Sequence, residues 1–294
     1  MPNIHIVTDS CAHFVDSRLT QRYPITVVPN KIEIGGKVYL EGVDLTSEEA
    51  LRLMAGQSTP PVVTSPSEAD FVRVYNKIAR DYDAIISIHA SREIYASWHN
   101  ARRAAPQLSG NCEVALVDSQ SLCVAQGILV GIAAELLGST ESFDSLVRKV
   151  RGTVEHLYSV YYVETVNYLL HNRIMSTGHS ILSTMLGVKP LLSIEEGRLM
   201  PIEKVRTRLQ AVERIVEFVT EFDGIREAVI LQHKPNITEQ TRMLQDRLAV
   251  EFTDREFTYS VYNASLAALI GTDASGLVLL EDETGNIAHE FDED

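Results

Sequence analysis

The residues best suited to chemistry in this chain are hydroxyls at the ends of apolar runs. They fall at Thr8 and Ser10, Thr64 and Ser65, Ser87 and Ser91, and Ser119 and Ser121. Hydroxyls and free backbone N–H groups at helix starts donate hydrogen bonds where the helix dipole is positive, so they suit a carboxylate or phosphate. One such pair alone is a helix cap; several meeting on one sheet edge make an anion site. Two other groups have matching chemistry. Arg92 can hold a carboxylate in bidentate fashion, and Asp273, in GTDASG, can serve as a general base. Arg173, Lys189 and Arg206 with Arg208 supply three cationic spots for an acid end, a docking surface or solubility.

Signatures of other chemistries are missing. The chain has no GxGxxG, Walker A, GxSxG or HExxH pattern, and Gly271–Gly276 lacks the Lys-Ser/Thr ending of a phosphate loop. The nine histidines are scattered, and the three cysteines show no CxxC spacing, so no metal set or disulfide framework is expected. A net charge of −14 argues against nucleic acid as a partner. Half of that charge lies in residues 281–294, EDETGNIAHEFDED, which read as a solvated extension. The first residues, MPNIHIVTDS, lack the pattern of a secretory signal. The apolar segment Leu122–Leu137 falls short of the ~20 residues a bilayer span needs. A cytoplasmic location is expected.

The elements that must position the hydroxyls alternate. Ile4–Val7, Ile25–Val28, Ala84–Ile88 and Val114–Val117 read as strands, each ending in a polar cluster before a helical stretch. That pattern implies a parallel sheet covered on both faces, with ligands expected beyond the carboxyl ends of its strands. Lys31–Val43, with Gly35-Gly36 between alternating runs, reads as a β-hairpin, and Ser67 as the N-cap of a helix. Leu122–Leu137 is apolar all round, which suits a central core helix or the lining of an apolar tunnel. From about Tyr158 the strict repeat stops. Val160–Val163 reads as a strand, Val188–Ile194 with its Pro190 as an edge strand or the start of one, and Glu196-Gly197 as a hairpin turn into Arg198–Ile202. Arg206–Phe222 and Asn236–Leu248 read as helices, Ala228–Gln232 and Phe257–Asn263 as strands, and Ser265–Ile270 as a short helix. The expected architecture is α/β with two domains: a parallel-sheet α/β domain over 1–158 and an α+β domain over 159–282, followed by an acidic tail, 283–294.

The stretch YYVETVNYLLHNRIM, followed by GVKPLLSIEEGRLMPIEKVRTRLQA, resembles the DegV family of bacterial lipid-binding proteins. Thr8-Asp9-Ser10, VVPNKIEIGGKVYLEGVDLT and VDSQS extend the resemblance over residues 1 to about 280. It implies a DegV-like two-domain fold and a protein that is a carrier, not an enzyme. A long-chain fatty acid would be buried between the domains as a bound ligand, without a cofactor. The resemblance further implies that the carboxylate is presented to a separate ATP-dependent fatty-acid kinase; transient membrane contact is compatible with such a role. Matching the family's headgroup motifs selects Thr64, Ser65, Ser91, Arg92, Tyr95, Ser119 and Asp273 as ligand contacts, with Arg173, Lys189 and Arg206 for anion or partner contact. The motifs also depart from the family. Its TSQPS is VTSPS here, its Ser-Gly pair is Arg92-Glu93, and Asp273 stands where it has a histidine. The alternative from a different class is an enzyme or binder for another small acid, built on Arg92 and Asp273; another is a regulatory module with its cavity collapsed.

Overall fold

In the computed structural model, strands β1 (Ile4–Asp9), β2 (Ile25–Val28), β6 (Ala84–His89) and β7 (Glu113–Asp118) form a parallel sheet in the order β2-β1-β6-β7. The structure describes residues 2–139, 142–176 and 187–282. Every residue of β1 and β6 is buried, because helices cover both faces of the sheet. Alternation along the strands divides the core. Val7 and Ile85 face helices α3 (Glu68–Ile78) and α4 (Ser97–Ala104), meeting Phe71, Tyr75 and Ala101. Ile6 and Ile86 face α5 (Val124–Glu135) and α6 (Phe143–Thr153), meeting Leu129, Val130 and Leu146. Ser67 caps α3 through a reciprocal box with Asp70.

Past β2 the chain makes the hairpin β3 (Lys31–Ile34) and β4 (Lys37–Leu40), turning at Gly35 and Gly36 with φ of +57° and +79°. Two successive positive φ values are what a type I′ hairpin turn demands, and glycine meets them without strain. After α2 (Ser47–Ala55), β5 (Val62–Thr64) pairs with the outer side of β3 to complete a three-stranded sheet.

The second large sheet contains β8 (Leu157–Tyr162), β9 (Lys189–Glu195), β10 (Arg198–Val205), β11 (Ile225–Gln232), β12 (Thr258–Val261) and β13 (Ser275–Glu281), in the order β10-β9-β8-β13-β11-β12. All its pairings are antiparallel except β11 with β12. Helices α8 (Arg208–Thr220) and α9 (Glu239–Glu251) cover one face, burying Val212, Ile215 and Leu244 against Val160, Ile230 and Leu277. The other face turns towards the first domain. There α5 and α10 (Ala264–Ile270) join Tyr161, Val229 and Val278 in a core cluster that reaches from one sheet to the next.

Two expectations need correction, and one strand was not expected. Of the two readings of Pro190 the strand start holds and the edge strand does not: β9 is interior, the Pro190 carbonyl accepts Val163 N–H, and its missing N–H falls at the second residue of the strand. The helix read from Arg206 begins at Arg208, since β10 runs to Val205 and Thr207 is the N-cap. Strand β13 went unforeseen, yet it lies in the middle of its sheet. The acidic tail, 283–294, lies outside the described residues.

Candidate functional site

The two large sheets meet around one buried carboxylate. Glu41, just after β4, accepts hydrogen bonds from Ser10 Oγ (2.7 Å), Asn30 Nδ2 (3.1 Å), Ser265 N (2.7 Å) and Ser265 Oγ (2.6 Å). Ser10 and Asn30 stand at the carboxyl ends of β1 and β2, and Ser265 lies in the first turn of α10. Asn263, the N-cap of α10, donates to the carbonyls of Ser10 (3.1 Å) and Cys11 (2.8 Å). Burial pushes the Glu41 carboxyl above its ordinary pKa, although the donors pull the other way.

Beside Glu41 opens a cavity of about 310 Å³. Its walls are largely apolar, with Ile32, Tyr39 and Ala50 from the first domain and Ala264 from α10. Its rim carries Ser17, Thr20, Val43 and Thr46. A second cavity of about 380 Å³ runs along α5 past Val124, Gly127 and Ile128. Both are lined by His13 and Phe14.

His13 has a pH signature of its own. Burial lowers its pKa to about 4, against an ordinary value of 6.5. Between those values the unfolded chain binds the proton more tightly, so this contribution to stability is present above pH 6.5 and lost as pH falls to about 4. We expect His13→Gln to lose less stability than the parent between pH 7.5 and 4.5. The difference should be about 2 kcal/mol in urea titrations, allowing for the ring's partial exposure. Parallel losses would show that His13 does not titrate with folding.

The residues selected from sequence fall elsewhere, and most are engaged within the protein. Ser91 is fully buried and donates to the Gly197 carbonyl (2.6 Å), at the tip of the β9–β10 hairpin. A Cβ on Gly197, where φ is +79°, would lie 2.6 Å from that hydroxyl. Arg198 pairs with Glu93 (3.0 Å), so the hairpin is fastened to the Ser91–Glu93 loop twice. Ser65 Oγ accepts Ala96 N–H (3.1 Å), and Ser119 Oγ donates to Ser121 O (3.1 Å). Thr64 ends β5 opposite Lys31, with its side chain exposed. Arg92 pairs with Asp118 (3.3 Å) and Glu93 (3.9 Å), and lies over the Trp98 ring. Asp273 accepts from Thr165 Oγ1 (2.8 Å) and lines a 170 Å³ recess with Thr59, Pro60 and Tyr168. Among the described residues no ion pair joins Arg92 to Asp273. Tyr95 comes to the Glu41 cluster, where its hydroxyl donates to the Ser265 carbonyl (2.7 Å).

The cationic spots also separate. Lys189 donates to the Glu164 carbonyl (2.7 Å) and, with Arg208, holds the Glu164 carboxylate. Arg173 follows α7 (Asn167–His171) with φ of +58°, and Arg206 is exposed before α8.

Two buried groupings escaped sequence reasoning. Glu41 is one. The other is a chain of contacts in which Tyr75 OH meets Ser87 Oγ (2.7 Å), Ser87 meets His89 Nε2 (2.7 Å), and His89 Nδ1 meets Asp9 Oδ2 (2.8 Å). Its order is that of a Ser-His-Asp triad, but Ser87, His89 and Asp9 are buried and line none of the described cavities. A nucleophile needs access to its substrate, so the chain is a packing network joining α3, β6 and β1. Hydrogen bonds and charge from His89, with the Cys11 N–H, outweigh burial and hold the Asp9 pKa below its usual value. No group of three or more His, Cys, Asp or Glu residues suited to a metal occurs among the described residues. Nor is any described helix long and apolar enough to cross a membrane.

A parallel α/β layer set against a mixed sheet, with an apolar cavity between them, defines a two-sheet α/β architecture built around an interior space. The chain belongs to the DegV family, whose model, described as one of uncharacterised proteins, matches residues 3–282. The Protein DegV of Bacillus subtilis is 26% identical over 280 residues, 94% of this chain and 98% of its own length. A fatty-acid-binding DegV family protein from Streptococcus agalactiae superposes with a TM-score of 0.86 at 23% identity, covering 96% of this chain and 100% of its own. The Fatty Acid Kinase (Fak) B3 protein of Streptococcus pneumoniae, solved loaded with linoleic acid, gives 0.81 at 16% identity, over 95% and 100% of the two chains.

Proposed function

We propose that this protein is a lipid carrier that buries a long-chain fatty acid between its two sheets and presents the carboxylate to a partner kinase. The observation that carries this is the 310 Å³ cavity, lined by apolar side chains from both domains at their junction. Its size lies at the lower end for small-molecule pockets. Burying an acyl chain contributes up to about 0.8 kcal/mol per methylene before ordering costs. The chain would run from the Tyr95 loop, past Ser265 and Glu41, into the cavity. The acid end would lie towards Thr64, Ser65 and Ser91, where taking up the Ser91 hydroxyl requires it to leave the Gly197 carbonyl. The fatty-acid-binding DegV relative and the Fak B3 relative loaded with linoleic acid support the ligand class, and the latter supports a kinase as partner.

Native mass spectrometry of the purified chain, followed by solvent extraction, tests this. A bound mass equal to one long-chain fatty acid is the expected result. A bare polypeptide mass that persists after incubation with C14–C18 acids would overturn it.

A further inference from the structure

Two cavities stand back to back across His13 and Phe14, each using both residues as wall. The two residues are held differently. His13 is fixed at three points: its N–H donates to the Cys123 carbonyl (3.0 Å), its ring Nε2 meets Ser260 Oγ (2.9 Å), and its own carbonyl lies against Gly127 in α5. Phe14 has an apolar, half-buried side chain that packs on the edge of the core cluster containing Leu19 and Leu129. Its ring can turn about χ1 and χ2 without breaking a hydrogen bond of its own. His13 is the post of the partition, and Phe14 its movable panel.

One side of the second cavity, along α5, suits a hydrocarbon. Val124, Ile128 and Ile132 line it, and the missing side chain of Gly131 leaves room along α5, whereas the His13 carbonyl fills the space beside Gly127. Charged groups also line it: Asp16, which pairs with Arg22, Glu135, which pairs with Arg226 (3.0 Å), and Glu227. Joined to the first cavity, this space would more than double the room for a ligand.

We propose that Phe14 sets the acyl-chain length this protein accepts, closing the ligand cavity at its inner end and, when turned aside, joining it to the groove along α5. The proposal rests on the acyl-chain function above. It assigns longer acyl chains as the ligands that need the second cavity, and makes Phe14 a specificity-determining residue. Each methylene newly buried is worth about fourfold in affinity, so the effect on a chain-length series is large.

The test uses the full chain, delipidated and equilibrated with an equimolar series of saturated C14 to C22 fatty acids, with each complex counted by native mass spectrometry. Phe14→Ala should raise the ratio of C20 to C16 complexes by about tenfold or more over the parent, with Phe14→Leu between them. Phe14→Leu keeps an apolar side chain and carries the comparison if the alanine variant does not fold. Identical profiles for parent and variants would overturn the proposal while leaving the carrier function standing. A parent that binds no acid of the series would overturn the carrier function, and the proposal with it.

Discussion

Glu41→Ala should lower the stability of this protein by about 3 to 5 kcal/mol, measured by chemical denaturation near neutral pH. The substitution removes the acceptor of four hydrogen bonds at once and leaves the Ser265 N–H buried without a partner, while the Asn30 amide keeps only Ser265 Oγ (3.0 Å) and Cys11 Sγ (3.2 Å). A donor so stranded costs about 1 to 3 kcal/mol. The two serine hydroxyls can rotate to other acceptors, which keeps the total below a simple sum. The loss has structural consequences, because Ser10 and Asn30 belong to the parallel-sheet domain while Ser265 belongs to α10 beside the second sheet. Glu41→Gln refines the test. Either amide orientation points an N–H at a group that can only donate, so a smaller penalty of about 1 to 3 kcal/mol is expected. That penalty depends on pH. Burial raises the Glu41 pKa, so above about pH 4.5 the folded state holds this proton more tightly than the unfolded chain does. The associated stability is complete below that value and declines as pH rises towards the folded pKa. The parent loses it as pH rises and the glutamine variant has none to lose, so the gap between them should narrow as pH rises above about 4.5. An alanine variant within 1 kcal/mol of the parent would show that these donors are satisfied without Glu41.

Local devices of this fold were legible in the sequence because their cause is local. The Gly35-Gly36 and Glu196-Gly197 turns take positive φ where glycine or a turn residue stands, and Ser67 caps α3 three residues before its partner Asp70. The parallel sheet was legible for a related reason: strands buried on both faces appear as continuous apolar runs between helices. Strand β13 was not. Its run SGLVLLE follows GTDASG, which drew attention as a ligand motif, and its place between β8 and β11 is fixed by pairings over more than a hundred and by about fifty residues. The site was harder still. Glu41 is bound to residues 31, 11 and 224 positions away, and the Asp9–His89 contact spans 80, so no spacing rule could have joined them. The hydroxyls that looked free at strand ends are spent on backbone groups nearby, such as Ser119 on Ser121, or across the domains, such as Ser91 on Gly197. Their types could be read in the sequence, but not their partners.

Gly127→Ala should be the most damaging small change in the first domain, costing 3 kcal/mol or more, or preventing folding altogether. A Cβ on Gly127 would stand 2.0 Å from the His13 carbonyl oxygen and 2.8 Å from its carbon. These are backbone atoms, so no rotamer change relieves the overlap. The backbone cannot simply retreat, because Cys123 N–H donates to Cys11 O (2.8 Å) and His13 N–H to Cys123 O (3.0 Å) just before α5. Helix propensity works in the opposite direction, since alanine is worth about 1 kcal/mol more than glycine inside a helix. The comparison with Gly131, one turn on, separates the two effects. A Cβ there meets only Leu19 Cδ2 at 4.0 Å, an ordinary contact, so Gly131→Ala should gain a few tenths to about 1 kcal/mol. Thermal denaturation of both variants decides the matter. If they shift the melting temperature alike, the close approach of His13 to α5 is not what glycine at 127 provides. If they diverge as expected, α5 is seated against the end of β1 by the absence of a single methyl group, and the same contact holds the His13 side of the wall between the two cavities in place.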